Sequence, residues 1–271
     1  MLKDILSSGC VPAVELTEIF RQARESLIIT NAHAVLHGEM PVLNETKKDF
    51  FFLAANHPQA ALDLAVSLAA KRLPAAYDFS PATDIQILSP TRKGTAGTAN
   101  LNRALREEIN PPAYNKKELT FRDTVFREGD KVMQIRNNYD LITERDDGTL
   151  DAGIYNGDLG IVEAVIPAQE SLIVRFDDKR VTYTNETLEE LEPAYAITVH
   201  KSQGSEFKAV ILMVSEGADV LFTRNLLYTA MTRAKQLLIV VGSAARLKYM
   251  IDNVTADKRY SGLKFMLQAL H

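Results

Sequence analysis

The sequence predicts an α/β protein in which a parallel sheet with flanking helices is interrupted by a small all-β barrel. Three observations carry that prediction. Strand and helix patterns alternate up to about residue 110, helical periodicity vanishes between about 118 and 193, and the alternation resumes after Pro193. A barrel so placed interrupts one sheet domain instead of following it. The expected organisation is therefore a first part of the sheet domain at 1–117, the insert at 118–193 and the second part of the sheet domain at 194–271.

Each element has its own sequence signal. Residues 14–36 carry apolar side chains at mostly helical spacing, with Thr17 or Asp4 as candidate caps and residues 38–41 ending the run. Asp49-Phe-Phe-Phe-Leu53 suits a buried strand, and its aromatic run reads as core instead of a base-stacking platform. A helix from about 58 to 71 places Pro58 in its first turn, where the missing N–H costs nothing, and residues 74–81 read as a linker. Asp84-Ile-Gln-Ile-Leu88 is again a strand, 89–98 a polar turn with two glycines, and 99–109 a helix stopped by Pro111-Pro112.

Within the insert the candidate strands are 131–136, 159–165, 171–176 and 180–184. They are separated by turns at Asp146-Asp-Gly148, Asn156-Gly157 and Asp177-Asp178, of which Asn156-Gly157 reads as a hairpin turn. Beyond Pro193 the pattern gives strands at 195–199 and 209–214, a helix near 225–235, a strand at 237–241 and a last helix from Ser243 to about Asn253.

Composition bounds the function. With 271 residues, 46% of them hydrophobic, the chain can bury a substantial core. A formal net charge of -4 argues against a uniformly basic surface, so any nucleic-acid contact has to come from a local stripe. The single Cys10 excludes an internal disulfide framework. With no apolar run long enough to span a bilayer and no signal-peptide pattern, a reducing cytoplasm is the expected setting. Five scattered histidines offer no zinc spacing, so no metal site is expected, and no clustered Asp, Glu and His set suggests a nuclease.

Two segments concentrate polar groups on an apolar scaffold: Ala196-Ile-Thr-Val-His-Lys-Ser-Gln-Gly-Ser-Glu-Phe207 and Leu227-Tyr-Thr-Ala-Met-Thr-Arg-Ala-Lys235. Thr198 and His200 fall on one face at a strand end, and Gly204 allows the following turn to approach a ligand closely. Short hydroxyl, imidazole and exposed amide groups suit phosphate and sugar contacts. The competing reading is a polar turn that caps itself through Ser202 or Ser205. Thr91 and Arg92 follow a strand and project where open α/β sheets bind ligands, or else form an ordinary basic loop. In the insert, Arg136, Asn137, Asn138 and Tyr139 combine donors with an aromatic, a mix that can clamp a single strand or simply make a turn. No Gly-x-x-x-x-Gly-Lys-Ser/Thr loop occurs in the chain.

The ordered series Leu16-Thr-Glu-Ile-Phe-Arg-Gln22, Leu88-Ser-Pro-Thr-Arg92, Gly129-Asp-Lys-Val-Met133, Tyr155-Asn-Gly-Asp-Leu-Gly160, Thr198-Val-His-Lys-Ser-Gln-Gly204 and Tyr228-Thr-Ala-Met-Thr-Arg-Ala-Lys235 resembles the C-terminal half of RecD-like superfamily 1 DNA helicases. The resemblance spans nearly the whole chain. It implies a second RecA-like motor domain carrying a Src-homology-3-like barrel, and ATP-driven 5′-to-3′ movement on single-stranded DNA. It also implies that the phosphate loop and the magnesium carboxylates lie in a preceding N-terminal motor domain, so that ATP and Mg2+ are held mainly there and this chain alone is inactive.

By the same resemblance Thr198 and His200 touch the DNA backbone, Gly204 and Glu206 lie near the nucleotide with Glu206 suited to a ribose hydroxyl, and Arg233 and Arg21 reach the γ-phosphate. Arg233, placed on a helix with Leu227, Ala230 and Ala234, has arginine-finger character as a planar, permanently charged donor. The plainer alternative pairs it with a surface carboxylate such as Glu216. Two rival readings keep the fold: an autonomous single-strand binding or regulatory module without catalysis, and the helicase portion of a conjugative relaxase.

Overall fold

The computed structural model describes residues 2–14, 25–43, 49–254 and 261–270. Two short helices, α1 (Leu2–Ser8) and α2 (Leu27–His37), open the chain. Ser26 caps α2 by accepting from the Ile29 amide, and Gly38 closes it in the left-handed conformation at φ 86°. The helix is shorter than the periodicity suggested, and residues 15–24 lie outside the described residues. Strand β1 (Phe50–Ala54) and helix α3 (Pro58–Ser67) follow.

The expected linker at 74–81 is in its first half helical. A π turn at Leu68–Arg72 leads directly into α4 (Leu73–Tyr77). Proline at 74 has no N–H to give and its ring would strike the carbonyl four residues back. The preceding turn is widened, so that the Leu73 amide reaches the Leu68 carbonyl, and the helix continues until Asp78 turns left-handed at φ 57°. Then come β2 (Ile85–Ser89) and α5 (Thr98–Ile109).

The insert contains the hairpin β3 (Glu118–Phe121) and β4 (Thr124–Arg127). It continues with β5 (Lys131–Gln134), β6 (Asn138–Arg145), β7 (Leu150–Ile154), β8 (Leu159–Ile166), β9 (Ser171–Phe176), β10 (Lys179–Tyr183) and β11 (Leu191–Pro193). The last seven form one antiparallel sheet in the order β11-β5-β8-β9-β10-β6-β7. The four predicted strands are present; β6 and β7 were missed because their outward faces are polar and the apolar alternation is weak. Asn156-Gly157 is a turn but not a hairpin. The strands on either side of it, β7 and β8, pair with β6 and β5 at different places in the sheet.

After the insert run β12 (Ala196–Thr198), β13 (Phe207–Val214), α6 (Arg224–Met231), β14 (Ala234–Gly242), α7 (Ala244–Asp252) and α8 (Leu263–Ala269). The last helix, α8, was not foreseen; it packs on α1, and Gln268 donates to the Ser8 carbonyl at 3.3 Å.

The larger body is a five-stranded parallel sheet in the order β1-β14-β13-β2-β12. Its central strands are apolar on both faces, as a sheet covered on both sides requires. Val210, Leu212 and Val214 of β13 pack with α2, α6 and α7 through Val35, Leu227 and Met250, whereas Ala209, Ile211 and Met213 face α3 and α5 through Ala65, Leu101 and Leu105. A separate core fills the insert around Val132, Val162, Leu172, Val174 and Tyr183. No helix among the described residues is long and apolar enough to cross a membrane.

Buried polar contacts fix the insert and the segment that leaves it to the sheet. Gln86 Nε2 donates to the carbonyls of Ala194 and Tyr195 at 3.0 and 3.1 Å, and Asn102 exchanges two 2.8 Å bonds with the backbone of Ala196. The Lys131 ammonium, sealed from solvent, donates to the Ile85 carbonyl at 3.1 Å. Asp130 accepts from Asn110, from the Arg127 amide and from the Tyr195 hydroxyl at 2.8, 2.8 and 3.2 Å.

Candidate functional site

All five strands of the parallel sheet point the same way, so its two edges differ chemically, and the singled-out residues sort between them. At the C-terminal ends of β2 and β12 lie Thr91, Arg92, Thr198 and, one turn further, His200. At the N-terminal ends of β13 and β14 lie Gly204, Glu206 and Arg233. Residues 198–207 form the crossover from one edge to the other. It passes through a single 3-10 turn, Val199–Ser202, which rests on α6.

That turn is fixed from within. Val199 and Ser202 are buried, and the Ser202 hydroxyl donates to the Val199 carbonyl at 2.7 Å. Ser202 is thus a local brace, in line with its alternative reading as part of a turn that caps itself. The His200 ring is exposed and makes no hydrogen bond within the described residues, whereas Lys201 reaches Glu192 at 2.7 Å. The same carboxylate takes Arg92 at 3.1 Å, so Glu192 of β11 holds two cations at this edge. Thr91 is buried, and its hydroxyl has no hydrogen-bond partner among the described residues. Around these groups runs a groove of about 310 Å³, lined by Arg92, Thr98, Asn102, Arg103, Glu192 and Pro193 among others, and a smaller hollow beside it adds Thr198 and Lys201.

At the opposite edge the expected helix position of Arg233 needs correction. The helix α6 stops at Met231, and Arg233 occupies the turn between Thr232 and the first residue of β14. Its guanidinium is half-buried and tied to uncharged oxygens: Nε to the Thr229 carbonyl at 3.1 Å, Nη1 to the Ser205 carbonyl at 3.1 Å and Nη2 to the Thr232 hydroxyl at 3.2 Å. A guanidinium has five N–H donors, so each terminal nitrogen keeps one. The carboxylate alternative does not hold, since Glu216 instead accepts from the Ala96 amide at 2.7 Å. Gly204 has φ 88° and open space where a side chain would stand; Glu206 is exposed and pairs with Lys235 at 3.1 Å.

Arg136 and Asn137 stand apart from both clusters. Arg136 pairs with Glu189 at 3.1 Å, and Asn137 accepts from the Asn156 amide at 2.9 Å, next to the exposed Tyr139–Tyr155 pair. Arg21 lies outside the described residues. Sequence reasoning missed Glu192, which lies 100 positions from Arg92 and carries no motif of its own.

The fold and two family matches define a class. Residues 101–176 match the SH3 domain of ATP-dependent RecD-like DNA helicases, and residues 193–241 match the UvrD-like helicase C-terminal domain. The chain therefore carries a RecD-like SH3 insert within a RecA-like helicase C-terminal domain.

Among named relatives, the ATP-dependent RecD2 DNA helicase of Deinococcus radiodurans is 34% identical over 234 residues, covering 86% of this chain and 29% of that protein. The RecBCD enzyme subunit RecD of Mycobacterium tuberculosis is 31% identical over 188 residues, covering 68% and 29%. The chain thus spans less than a third of the length of these curated relatives. A solved structure of the Bacteroides Pif1 helicase in complex with ADP-AlF3 and single-stranded DNA is 23% identical, with a TM-score of 0.48 over 90% of this chain and 54% of that one.

Proposed function

We propose that this chain is the C-terminal motor part of an ATP-dependent DNA helicase that moves 5′-to-3′ on single-stranded DNA. The observation that supports it best is the crossover 198–207, which begins among the strand-facing candidates Thr198 and His200 and ends among Gly204, Glu206 and the Arg233 anchor. A shift of either end is passed to the other through one braced turn. In this reading Arg92, Thr198 and His200 hold the DNA backbone, and Arg136 and Asn137 extend the contact across the barrel. Thr91, expected to project from the edge, is instead buried in the loop that carries Arg92, where its carbonyl accepts from the Thr98 amide at 3.0 Å.

ATP is the substrate, and the residues present fit its terminal end. Arg233 is held by three hydrogen bonds and has one N–H free on each terminal nitrogen, an arrangement able to stabilise charge developing on a γ-phosphate. Glu206, exposed beside Gly204, suits a ribose hydroxyl. No group of three or more His, Cys, Asp or Glu side chains among the described residues could hold a metal ion. The magnesium ligands and the phosphate loop are accordingly proposed to come from another motor domain of the same protein. Arg21 is proposed as a second γ-phosphate contact from its motif alone.

The test is DNA-stimulated ATP hydrolysis by the full-length native polypeptide, with and without Arg233→Ala. A large loss of turnover with single-strand affinity retained is the expected result. Unchanged turnover would remove the finger assignment, and an absence of ATPase from the native polypeptide would favour a single-strand binding module.

A further inference from the structure

At the strand-facing edge one carboxylate holds two cations, the candidate phosphate ligand Arg92 and its neighbour Lys201. Glu192 Oε1 lies 3.1 Å from Arg92 and Oε2 lies 2.7 Å from Lys201. Arg92 belongs to the loop after β2, Lys201 to the turn after β12, and Glu192 to the last strand of the insert, so three separate segments converge on one anion-sized position. A carboxylate whose two oxygens span two cations offers them the same kind of charge-assisted contacts that the oxygens of a backbone phosphate offer. The groove beside it, with Asn102, Thr98 and Arg103 along its wall, is open to solvent.

We propose that Glu192 is a built-in stand-in for a DNA phosphate: its carboxylate keeps Arg92 and Lys201 paired in the empty state and is displaced when a single strand enters. The proposal rests on the single-strand reading of this edge and adds a regulator to it. The gate is a side chain and not a domain. The backbone just after Glu192 is pinned by Gln86 to the carbonyls of Ala194 and Tyr195 and by Asn102 to Ala196, so the peptide cannot swing away. The Glu192 side chain, by contrast, is partly exposed, and its polar contacts among the described residues are the two ion pairs. Partly exposed pairs of this kind are weak, which permits exchange of one anion for another. The internal anion also leaves the three-residue cluster with one net positive charge where Arg92 and Lys201 alone would give two, and so discourages capture of free anions.

The experiment measures binding of a fluorescent oligothymidylate to the whole chain and its Glu192→Gln variant across a salt series, with Glu192→Ala as a second variant and thermal melts of each. Removing the carboxylate should tighten binding about three- to tenfold at low salt, the scale of the weak pairs it frees. It should also steepen the log–log salt slope, because solution anions then sit on Arg92 and Lys201 in the empty state and are released when the strand enters. The gain should vanish on an oligonucleotide with an uncharged methylphosphonate backbone. Equal affinity and slope in both variants, with wild-type binding intact, would overturn the gate alone. Weaker binding in both would show that Glu192 positions the cations instead of competing for them, and would also overturn it. Salt-sensitive binding absent from wild type and variants alike would sink the single-strand reading of this edge, and the gate with it.

Discussion

Arg233 is tied twice to the turn that carries Gly204 and Glu206: its Nη1 donates to the Ser205 carbonyl at 3.1 Å, and its own carbonyl accepts from the Phe207 amide at 2.8 Å. The guanidinium and the candidate ribose contact therefore move as one piece. Arg233→Ala should lower ATP turnover in the native full-length protein by about 10³ or more if the residue acts as a finger. The three lost hydrogen bonds, two of them to exposed or half-exposed backbone, should cost about 1–2 kcal/mol of stability. Arg233→Lys keeps the charge but cannot reproduce the fork, and should recover little turnover. A variant that melts early yet retains turnover per folded molecule would mean that Arg233 is a structural brace.

His200 offers the opposite balance. Its ring is exposed and bonds to nothing among the described residues, so His200→Ala should change stability by no more than about 0.5 kcal/mol. A several-fold loss of single-strand affinity with unchanged melting is the expected outcome of an oligonucleotide titration. Intact affinity would remove His200 from the interface.

The parallel sheet was legible because its strands are buried on both faces and read as unbroken apolar runs between turns. The barrel was legible through the loss of helical period and the Asp-Gly and Asp-Asp turns. What escaped has local physical causes. Pro74 signals a helix end only if the preceding turn is regular, and here a π turn at Leu68–Arg72 admits it. Arg233 sits within a helical pattern that stops two residues earlier, where the chain must turn into β14. The pairing of Glu192 with Arg92 and Lys201 depends on the sheet order, which places β12 beside β2, and no spacing in the chain encodes it.

Close backbone approach makes Gly242 irreplaceable. It has φ 154°, and a Cβ there would stand 1.9 Å from the Val214 carbonyl oxygen, which itself accepts from the Ser243 amide. Because the obstacle is the backbone of the neighbouring strand, no rotamer change relieves it. Gly242→Ala should cost about 3 kcal/mol or more, or prevent folding, as read by chemical denaturation. A loss under about 1 kcal/mol would show that β13 and β14 can separate at this end.

Asp130 is the centre of the buried polar junction between insert and sheet. Burial pushes its carboxyl above the usual range, against the opposing pull of its hydrogen bonds from Asn110 and the Arg127 amide. Tyr195→Phe removes one of three donors and should cost about 1–2 kcal/mol; Asp130→Ala strands all three and should cost about 3 kcal/mol or more. Denaturation of both variants checks the order. Equal costs would mean that the Tyr195 hydroxyl carries most of the junction.

Lys131 gives the protein a pH dependence of definite sign. Burial lowers its ammonium to about 7, partly offset by the Asp84 carboxylate, from an ordinary value of 10.5. Between those two values the unfolded chain holds a proton that the folded chain has released. Stability attributable to this group therefore rises with pH from about 7 towards 10.5 and is flat below, where both states carry the charge and the folded state bears the full desolvation cost. Lys131→Met replaces the buried ammonium by an apolar chain of similar length and forfeits the 3.1 Å bond to the Ile85 carbonyl. The variant should gain about 1–3 kcal/mol relative to wild type at pH 6 and less at pH 9, flattening the rise. Urea unfolding of both proteins at the two pH values measures this. A difference that is the same at pH 6 and pH 9 would mean that Lys131 does not lose its proton in the folded protein over that range.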